Sequence, residues 1–421
     1  MKYLCVMFPY PSGEGLHLGH FYNYAVIDSY ARYLKYYKGE EVFQPFGYDS
    51  FGLPAENYAR KIGKNPEEVT KENIENFRKQ ITEMNTCFQE LVITSEPSYY
   101  KWTQWLFLKL MEHNLAYKAE SEVNYCKSCE TVLANEQVIN NSCERCGNKT
   151  ESKILNQWFF KITAYKERLL KNLEIIDYPE KTKKMQKAWL ENLHDWCVSR
   201  QRSWGTPIPV ENETDTLDTF VDSSFYYIRY CDPYNNEQLC SKEKYKQVDL
   251  YIGGSEHACM HLIYARFINM FLFDIGIVSE EEPFKKVIHQ GMILRNGIKM
   301  SKSKGNVINP SDFDPDELRF FLMFIGHYFD GGDFKDSSKI NGIKRFISRI
   351  KKWSVGSENI DSEINKLKNQ IFNYTESFKF NKVVSEFMSF YNKYRNTAIS
   401  ETSKNYFLDL LEIYMPGIKK T

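Results

Sequence analysis

The 421-residue chain has no excess of charge of either sign, because 55 lysines and arginines are balanced by 55 aspartates and glutamates. Net charge therefore gives no argument for a nucleic-acid partner, and any surface that binds one must be local. The chain also lacks a run of eighteen apolar residues, and its first residues form an apolar strand pattern without a basic leader. These absences predict a soluble, cytoplasmic protein with no membrane segment. The length allows two or three domains.

The ten cysteines do not have the spacing of a disulfide framework, and six of them are scattered, which suits a reducing compartment. The other four form two pairs, because Cys126 and Cys129 are followed, after thirteen residues, by Cys143 and Cys146. Two C-x-x-C pairs turn four sulfurs toward one centre, as in a zinc ribbon. A redox pair is the alternative, but no thioredoxin-like strand precedes them. Because four thiolates complete a tetrahedron, the predicted Zn²⁺ is structural.

The stretch MFPYPSGEGLHLGH, residues 7–20, organises the rest of the chain. It joins an apolar run typical of a buried strand, Tyr3 to Phe8, to a segment with helical spacing, Phe21 to Lys38. The proline and glycine residues permit a sharp turn close to a ligand, and the helix start offers unpaired N–H groups to an anion. His17 and His20 can contact phosphate oxygens there. A surface or metal-binding histidine pair is the alternative.

A second stretch suited to phosphate binding is KMSKSKGN, residues 299–306, which follows an apolar run. Its three lysines and two serines favour a loop that binds phosphate oxygens. A solvated basic loop is the alternative.

The pair HLGH and KMSKS, in this order, resembles the two signatures of class I aminoacyl-tRNA synthetases. Eight stretches make the chain similar to leucyl-tRNA synthetases over roughly four fifths of its length: MFPYPSG, GYDSFGLPAEN, VLANEQV, QWFFKITAY, SRQRSWGTPIP, DTFVDSSFYYIRY, YIGGSEH and KMSKSKGNVINP. The resemblance implies an α/β fold in which a Rossmann-like parallel sheet forms the catalytic domain, with a zinc-ribbon insertion and a C-terminal α-helical bundle.

Four segments follow from this resemblance. We expect residues 1–118 to form the first half of the catalytic domain and residues 119–160 the zinc-ribbon insertion. Residues 161–335 would complete the catalytic domain and include the KMSKS loop, and residues 336–421 would form a short helical bundle. A basic stretch within the last segment, residues 344–353, could follow a phosphate backbone or form a solvated helix face.

Asp49 follows a strand-like run, at the edge where open α/β sheets bind their ligands. Its carboxylate could hold an ammonium group or cap a turn. The resemblance implies the first role, on the α-amino group of leucine. Two departures from the family are Tyr48 and Phe225, which stand where tryptophan is usual. The other leucine-binding residues that the resemblance implies are Met7, Phe8, Tyr10, Phe220, Ser223, Tyr226, His257 and His261.

The sequence GGSEH, residues 253–257, ends another strand-like run. Its glycines would let a nucleoside lie against the backbone, and Glu256 can accept hydrogen bonds from ribose hydroxyls. His257 and His261 could instead be a metal pair, although no third ligand is evident. ATP contacts are implied for Gly19, Gly253, Gly254, Glu256, Met292, Ile293, Ser301 and Ser303, and catalytic contacts to the phosphates for His17, His20, Lys299 and Lys302. Mg²⁺ would arrive with the nucleotide.

Leucyl enzymes ordinarily carry an inserted editing domain after a segment like the basic helical pattern Pro179 to Trp196. Here that pattern leads at once into SRQRSWGTPIP. We therefore expect a minimal form that lacks the editing domain and the C-terminal domain. Selection of leucine by shape alone gains only about 1–3 kcal/mol per methylene, so noncognate amino acids should be activated.

The expected function is ATP-dependent activation of leucine to leucyl-adenylate and its transfer to tRNA(Leu) by a monomer. One alternative is a paralogue that transfers the leucyl group to a carrier protein or peptide. Another is a synthetase-like protein that binds without catalysis, but a complete phosphate-binding loop argues against it. Leucine-dependent pyrophosphate exchange, followed by transfer to total tRNA, separates the first two.

Overall fold

The computed structural model describes residues 1–11, 15–133, 137–143, 146–300, 306–335, 338 and 340–419, with the side chains of residues 53 and 54 excepted. In this part of the chain, strands β1 to β18 are Lys2–Val6, Val42–Phe43, Pro45–Tyr48, Gln89–Ile93, Ala116–Cys126, Thr131–Leu133, Val138–Ile139, Ser142–Cys143, Glu151–Phe160, Trp196–Cys197, Ser199–Arg200, Thr216–Leu217, Leu250–Gly253, Val287–His289, Ile293–Arg295, Ile298–Lys299, Gly332–Asp333 and Val355–Glu358. Helices α1 to α14 are Leu18–Tyr36, Leu53–Ile62, Pro66–Glu83, Pro97–Glu112, Lys166–Asn172, Glu180–Glu191, Thr219–Ser223, Tyr226–Cys231, His261–Asp274, Pro315–Phe324, Ile340–Lys351, Asp361–Glu376, Phe380–Tyr394 and Glu401–Glu412.

A parallel sheet with strand order β14-β13-β1-β2 forms the centre of the molecule. Successive side chains of β1 enter two different cores, because Leu4 and Val6 pack on one face whereas Tyr3 and Cys5 pack on the other. Burial on both faces is the usual condition of a parallel sheet, and it explains the continuous apolar run in the sequence. Strands β3 and β4 form a separate parallel pair. The predicted α/β fold is confirmed.

Helices cover both faces of the central sheet. Helix α1 packs on one face in the same core as α10 to α14, and helices α4 and α9 pack on the other face. A buried ion pair between Asp28 of α1 and Arg319 of α10 joins two of these helices, and Arg319 also donates to the backbone oxygen of Tyr414. The helical C-terminal region is thus confirmed, and it is packed onto the helix that follows the HLGH stretch.

A long antiparallel ribbon carries the cysteine pairs away from the sheet. Strand β5 pairs with β9 from Ala116 opposite Phe160 to Tyr125 opposite Glu151. The four cysteines lie at the far end of this ribbon, in and beside the short strands β6 and β8. The ribbon occupies nearly the range predicted for the zinc insertion, while the division of the chain into four segments stays a prediction.

Several predicted element boundaries were wrong. Helix α1 begins at Leu18 rather than Phe21, because the side chain of His17 caps it. The aromatic-rich stretch of residues 218–230 has the spacing of a single helix, but it forms two short helices, since the backbone of Phe225 leaves the helical region at φ −136°. Residues 256–276 have the spacing of one long helix, but this region forms a 3₁₀ turn, Ser255–His257, followed by α9. Helix α6 ends at Glu191, because β10 then pairs with β9. Within the described ranges, no helix has the length and apolarity needed to cross a bilayer.

Candidate active site

A cavity of about 1180 Å³ lies where the carboxyl ends of β1, β13 and β14 meet the start of α1. This is the edge at which open parallel sheets bind ligands. Thirteen of the predicted site residues line it: Met7, Phe8, Tyr10, His17, Gly19, His20, Gly253, Gly254, Glu256, His257, Met292, Ile293 and Lys299. Residues far apart in the sequence therefore converge on one space.

The two histidines of HLGH form a stacked pair at the start of α1, with ring centroids 3.7 Å apart. The Nδ1 atom of His17 accepts from the backbone N–H groups of Gly19 and His20, at 3.0 and 3.3 Å, and Nδ1 of His20 accepts from the N–H of His17 at 3.3 Å. Each neutral ring therefore carries its proton on Nε2. Burial, with the neighbouring His17, lowers the pKa of His20, so this ring acts as a neutral donor.

Lys299 belongs to the short strand β16 and lines the same cavity as the histidine pair. Because the two signatures are separated by 279 positions, from His20 to Lys299, only the fold can bring them together. The predicted contacts of Ser301, Lys302 and Ser303 lie outside the described residues.

Glycines at the end of β13 make room at the part of the cavity where nucleotide contacts are predicted. A Cβ atom on Gly253 would lie 2.0 Å from Sδ of Met7, and one on Gly254 would lie 2.2 Å from a carboxylate oxygen of Glu256. A side chain at either position would therefore have to move the side chain of Met7 or Glu256, both of which line the cavity. Met292 and Ile293, at the start of β15, line the same region.

Asp49 lies just behind the cavity wall and is 1% exposed. Its Oδ1 accepts from the hydroxyl of Thr219 at 3.0 Å, and the hydroxyl of Tyr10 also hydrogen-bonds to its carboxylate. Burial and the nearby carboxyl of Asp222 raise the pKa of Asp49 well above its ordinary value, although the two hydroxyls oppose this. A positively charged ammonium group beside Asp49 would favour the ionised carboxylate over the protonated form.

Four other predicted leucine contacts, Phe220, Ser223, Tyr226 and His261, are buried behind the lining residues. Tyr226 stacks on Phe8 with ring centroids 3.9 Å apart and hydrogen-bonds to Tyr251 at 2.7 Å, and Tyr251 reaches Nε2 of His261 at 2.5 Å. Burial, with the nearby His257, lowers the pKa of His261 to about 3, so its imidazole is neutral. These residues support the wall in this structure, and their contact with leucine stays a prediction.

Sequence reasoning missed three residues at the site. Asp222 has no exposed surface, and its Oδ1 accepts from the hydroxyls of Thr103 and Thr206 at 2.8 and 2.7 Å. Burial raises the pKa of Asp222 to about 7. Thr182 lines the cavity from α6 and hydrogen-bonds to His289 at 2.8 Å. The second aspartate of DTFVDSS was a signal for Asp222, whereas Thr182 and His289 form a contact between distant segments that no local pattern contains.

The four cysteines form a cluster whose Sγ atoms all lie within 4.8 Å of one another. Tetrahedral Zn²⁺ with Zn–S bonds of about 2.3 Å needs sulfurs roughly 3.8 Å apart, which this cluster can provide. Although burial opposes ionisation, the backbone N–H of Asn148 and the other cysteines lower the pKa of Cys146 to about 7. The donor set therefore fits a zinc ion held by four thiolates.

Comparison with known proteins places this fold and cavity in one class. Residues 2–213 match the family model for class I tRNA synthetases (I, L, M and V), and residues 129–346 match the model for class I tRNA synthetases (M). A structure of a ternary LeuRS-tRNA-LeuAMS complex from Agrobacterium radiobacter superposes with a TM-score of 0.90, at 24% identity, over 99% of this chain and 84% of that one. Methionyl-tRNA synthetase of Mycobacterium tuberculosis bound by methionyl-adenylate gives 0.77, at 20% identity, over 100% and 93%.

Sequence relatives identify the family within that class. Leucine–tRNA ligase of Clostridium kluyveri is 31% identical, with 98% of this chain and 84% of the relative covered. Leucine–tRNA ligase of Clostridium beijerinckii is 32% identical, with 90% and 77% covered. The chain belongs to the leucine–tRNA ligase family of class I aminoacyl-tRNA synthetases and is an aminoacyl-tRNA ligase.

Proposed function

We propose that this protein activates leucine with ATP to leucyl-adenylate and transfers the leucyl group to tRNA(Leu). The observation that carries the proposal is the convergence of His17, His20 and Lys299 on one cavity that Asp49 borders from behind. The names of the curated relatives support the choice of leucine and of tRNA.

In the first step, a carboxylate oxygen of leucine attacks the α-phosphorus of ATP, and pyrophosphate leaves. This displacement needs positioned reactants and charge stabilisation at the phosphates rather than a side-chain nucleophile. The Nε2–H groups of His17 and His20 would donate to phosphate oxygens, because their Nδ1 atoms already accept from the helix start. Lys299, with Lys302 from the signature loop, would stabilise the leaving pyrophosphate. Mg²⁺ would be bound by the phosphates of the nucleotide.

The leucine ammonium group would pair with Asp49. Binding would favour the ionised carboxylate over the protonated form, because the ammonium charge offsets the cost of burial. The leucine side chain would lie against Met7 and Phe8, with Tyr226 and His261 fixing the wall behind them.

In the second step, a terminal hydroxyl of the tRNA attacks the carbonyl carbon of the adenylate, and AMP leaves. Helix α6 borders the cavity with Lys181 and carries three further lysines, Lys183, Lys184 and Lys187. We assign this basic helix to the acceptor end of the tRNA, and α11, with its exposed basic residues, to a more distant part of the backbone. We retain the predictions of a cytoplasmic monomer, of the four predicted segments and of structural Zn²⁺ at the four cysteines.

We also propose that no editing site is present. The similarity to the C. kluyveri enzyme extends over 684 aligned positions, whereas this chain has 421 residues, so the relative has long internal stretches without a counterpart here. Helix α6 ends at Glu191 and β10 begins at Trp196, so little chain lies between them where editing domains are inserted.

Leucine-dependent exchange of labelled pyrophosphate into ATP, followed by transfer of labelled leucine to total tRNA, tests the proposal. We expect both activities. Exchange without transfer to tRNA would favour a different acceptor, and the absence of leucine-dependent exchange would exclude adenylate formation.

A further inference from the structure

The buried face of helix α6 is polar where it meets the cavity. Its buried residues are spaced four apart: Thr182, Gln186 and Leu190. The amide of Gln186 donates to the backbone oxygen of Ala258 at 2.9 Å, and the hydroxyl of Thr182 hydrogen-bonds to His289 at 2.8 Å. Apolar side chains at these two positions would leave the helix free to slide along the sheet. Buried hydrogen bonds fix its register instead, because a polar group that loses its partner there costs free energy.

His289 lies between α6 and β13, and each of its ring nitrogens has one partner. Its Nδ1 lies 2.9 Å from the backbone oxygen of Gly253, the residue opposite it in the pairing of β13 with β14. Because a carbonyl oxygen only accepts, Nδ1 carries the proton. Burial lowers the pKa of His289, although the bond to Gly253 and the charge of Glu256 oppose this, so the ring is neutral. Its Nε2 therefore accepts from the hydroxyl of Thr182.

This hydrogen-bonded pair belongs to the cavity wall. Thr182, His289 and Gly253 all line the cavity, in the part where nucleotide contacts are predicted, and Lys181 lines it beside Thr182. We propose that Thr182 and His289 are positioning residues for ATP, because together they hold α6 against the end of β13 and so fix the shape of the nucleotide part of the cavity. This inference rests on the proposed function, which makes ATP the ligand.

Thr182→Val replaces the hydroxyl with a methyl group of similar size and leaves Nε2 of His289 without a donor. The adenosine does not react, so its contacts are the same in the bound substrate and in the transition state. Their loss should raise the KM for ATP and leave kcat nearly unchanged. The free energy of one hydrogen bond corresponds to a rise of roughly 3- to 10-fold.

Leucine-dependent pyrophosphate exchange at varied ATP concentration measures this effect. Thr182→Ser keeps the hydroxyl and should restore the KM for ATP, while Thr402→Val, at an exposed threonine of α14, is the matched control. His289→Asn retains a donor for Gly253 but loses the acceptor for Thr182, so it should show the same rise and decides the matter if Thr182→Val does not fold. An unchanged KM for ATP in these variants would overturn the inference. A parallel loss in kcat and in the KM for leucine would also overturn it, because that result indicates general disruption.

Equilibrium dialysis with labelled ATP and no leucine tests the pair independently of the reaction. Wild-type protein that binds ATP but shows no exchange would contradict the proposed function alone. Thr182→Val should then still bind ATP roughly 3- to 10-fold more weakly than wild type, and Thr182→Ser should not. Equal binding by wild type and Thr182→Val, or binding by neither, would overturn the positioning role.

Discussion

At the scale of residues, backbone hydrogen bonds determine which nitrogen of each HLGH histidine faces the ligand. Both Nδ1 atoms accept from N–H groups at the helix start, which leaves both Nε2–H groups as donors. The sequence predicted that these residues contact phosphates. It could not predict the tautomer, because the capping geometry depends on the three-dimensional path of the turn.

His20→Ala should lower kcat for leucine-dependent pyrophosphate exchange by roughly 10²- to 10³-fold, because the ring would donate to charge that grows in the transition state. The KM for leucine should change little. Steady-state exchange kinetics measure both values, and His113→Ala, at the exposed histidine that follows α4, serves as the control. An unchanged kcat in His20→Ala would exclude the role.

Asp222 should make the protein less stable as the pH rises toward neutrality. Its pKa is about 7 in the folded state, compared with an ordinary value of 3.8, so between these values the folded protein retains a proton that the unfolded chain has released. The contribution of Asp222 to the free energy of unfolding is complete below pH 3.8 and is lost as the pH rises to 7. One pKa unit corresponds to ~1.4 kcal/mol of unfolding free energy.

Asp222→Asn keeps an acceptor for Thr103 and Thr206 but cannot titrate. The difference between the unfolding free energies of wild type and variant, measured in urea at pH 5, 6 and 7, should therefore shift in favour of the variant by a few kcal/mol as the pH rises. A difference that is constant with pH would show that the carboxyl does not titrate in this range.

At the scale of elements, the apolar runs predicted the sheet strands better than the periodicities predicted the helices. Strand β1 is a continuous apolar run because both of its faces are buried. The aromatic-rich stretch of residues 218–230 has helical spacing, yet Phe225 interrupts the helix where it is fully buried and stacks on Tyr99. Tertiary packing overrides local preference there, and no single-segment pattern records it.

The ribbon that carries the cysteines could be predicted because the spacing of four metal-binding residues is visible in the sequence and does not depend on tertiary packing. Cys143→Ser should remove the bound zinc, since the remaining three thiolates leave the tetrahedron incomplete. Elemental analysis should find about one zinc per chain in wild type and in Cys87→Ser, which lies outside the cluster, and little in Cys143→Ser. Limited proteolysis should then cut within residues 126–146 of the variant. Full zinc occupancy in Cys143→Ser would contradict a four-thiolate site.

At the scale of the whole molecule, the fold joins segments that the sequence holds far apart. The order of the strands in the central sheet brings the carboxyl ends of β1 and β13 side by side, and Asp28 and Arg319 join the helix after HLGH to the helix after KMSKS. The resemblance predicted the convergence of the signatures. The buried ion pair and the contact between α6 and β14 could not be predicted, because they depend on how the layers pack.

Because we propose that no editing site is present, the selection of leucine should depend only on the cavity in which the adenylate forms. We expect norvaline, isoleucine or methionine to support pyrophosphate exchange, with discrimination against them of less than about ten-thousandfold. Purified norvalyl-tRNA(Leu) should be hydrolysed no faster with the protein than without it. Accelerated hydrolysis of this ester would reveal an editing activity and contradict the proposal that no editing domain lies between α6 and β10.

The central claim is that the histidine pair and the lysine signature act on one triphosphate. A crystal structure with ATP and leucinol, which lacks the attacking carboxylate, tests it most directly. We predict that Nε2 of His17 or His20 and Nζ of Lys299 lie within hydrogen-bond distance of the same ATP molecule, whose adenosine lies beside Gly253 and Gly254. A triphosphate bound by only one of the two signatures, or bound outside this cavity, would contradict the claim.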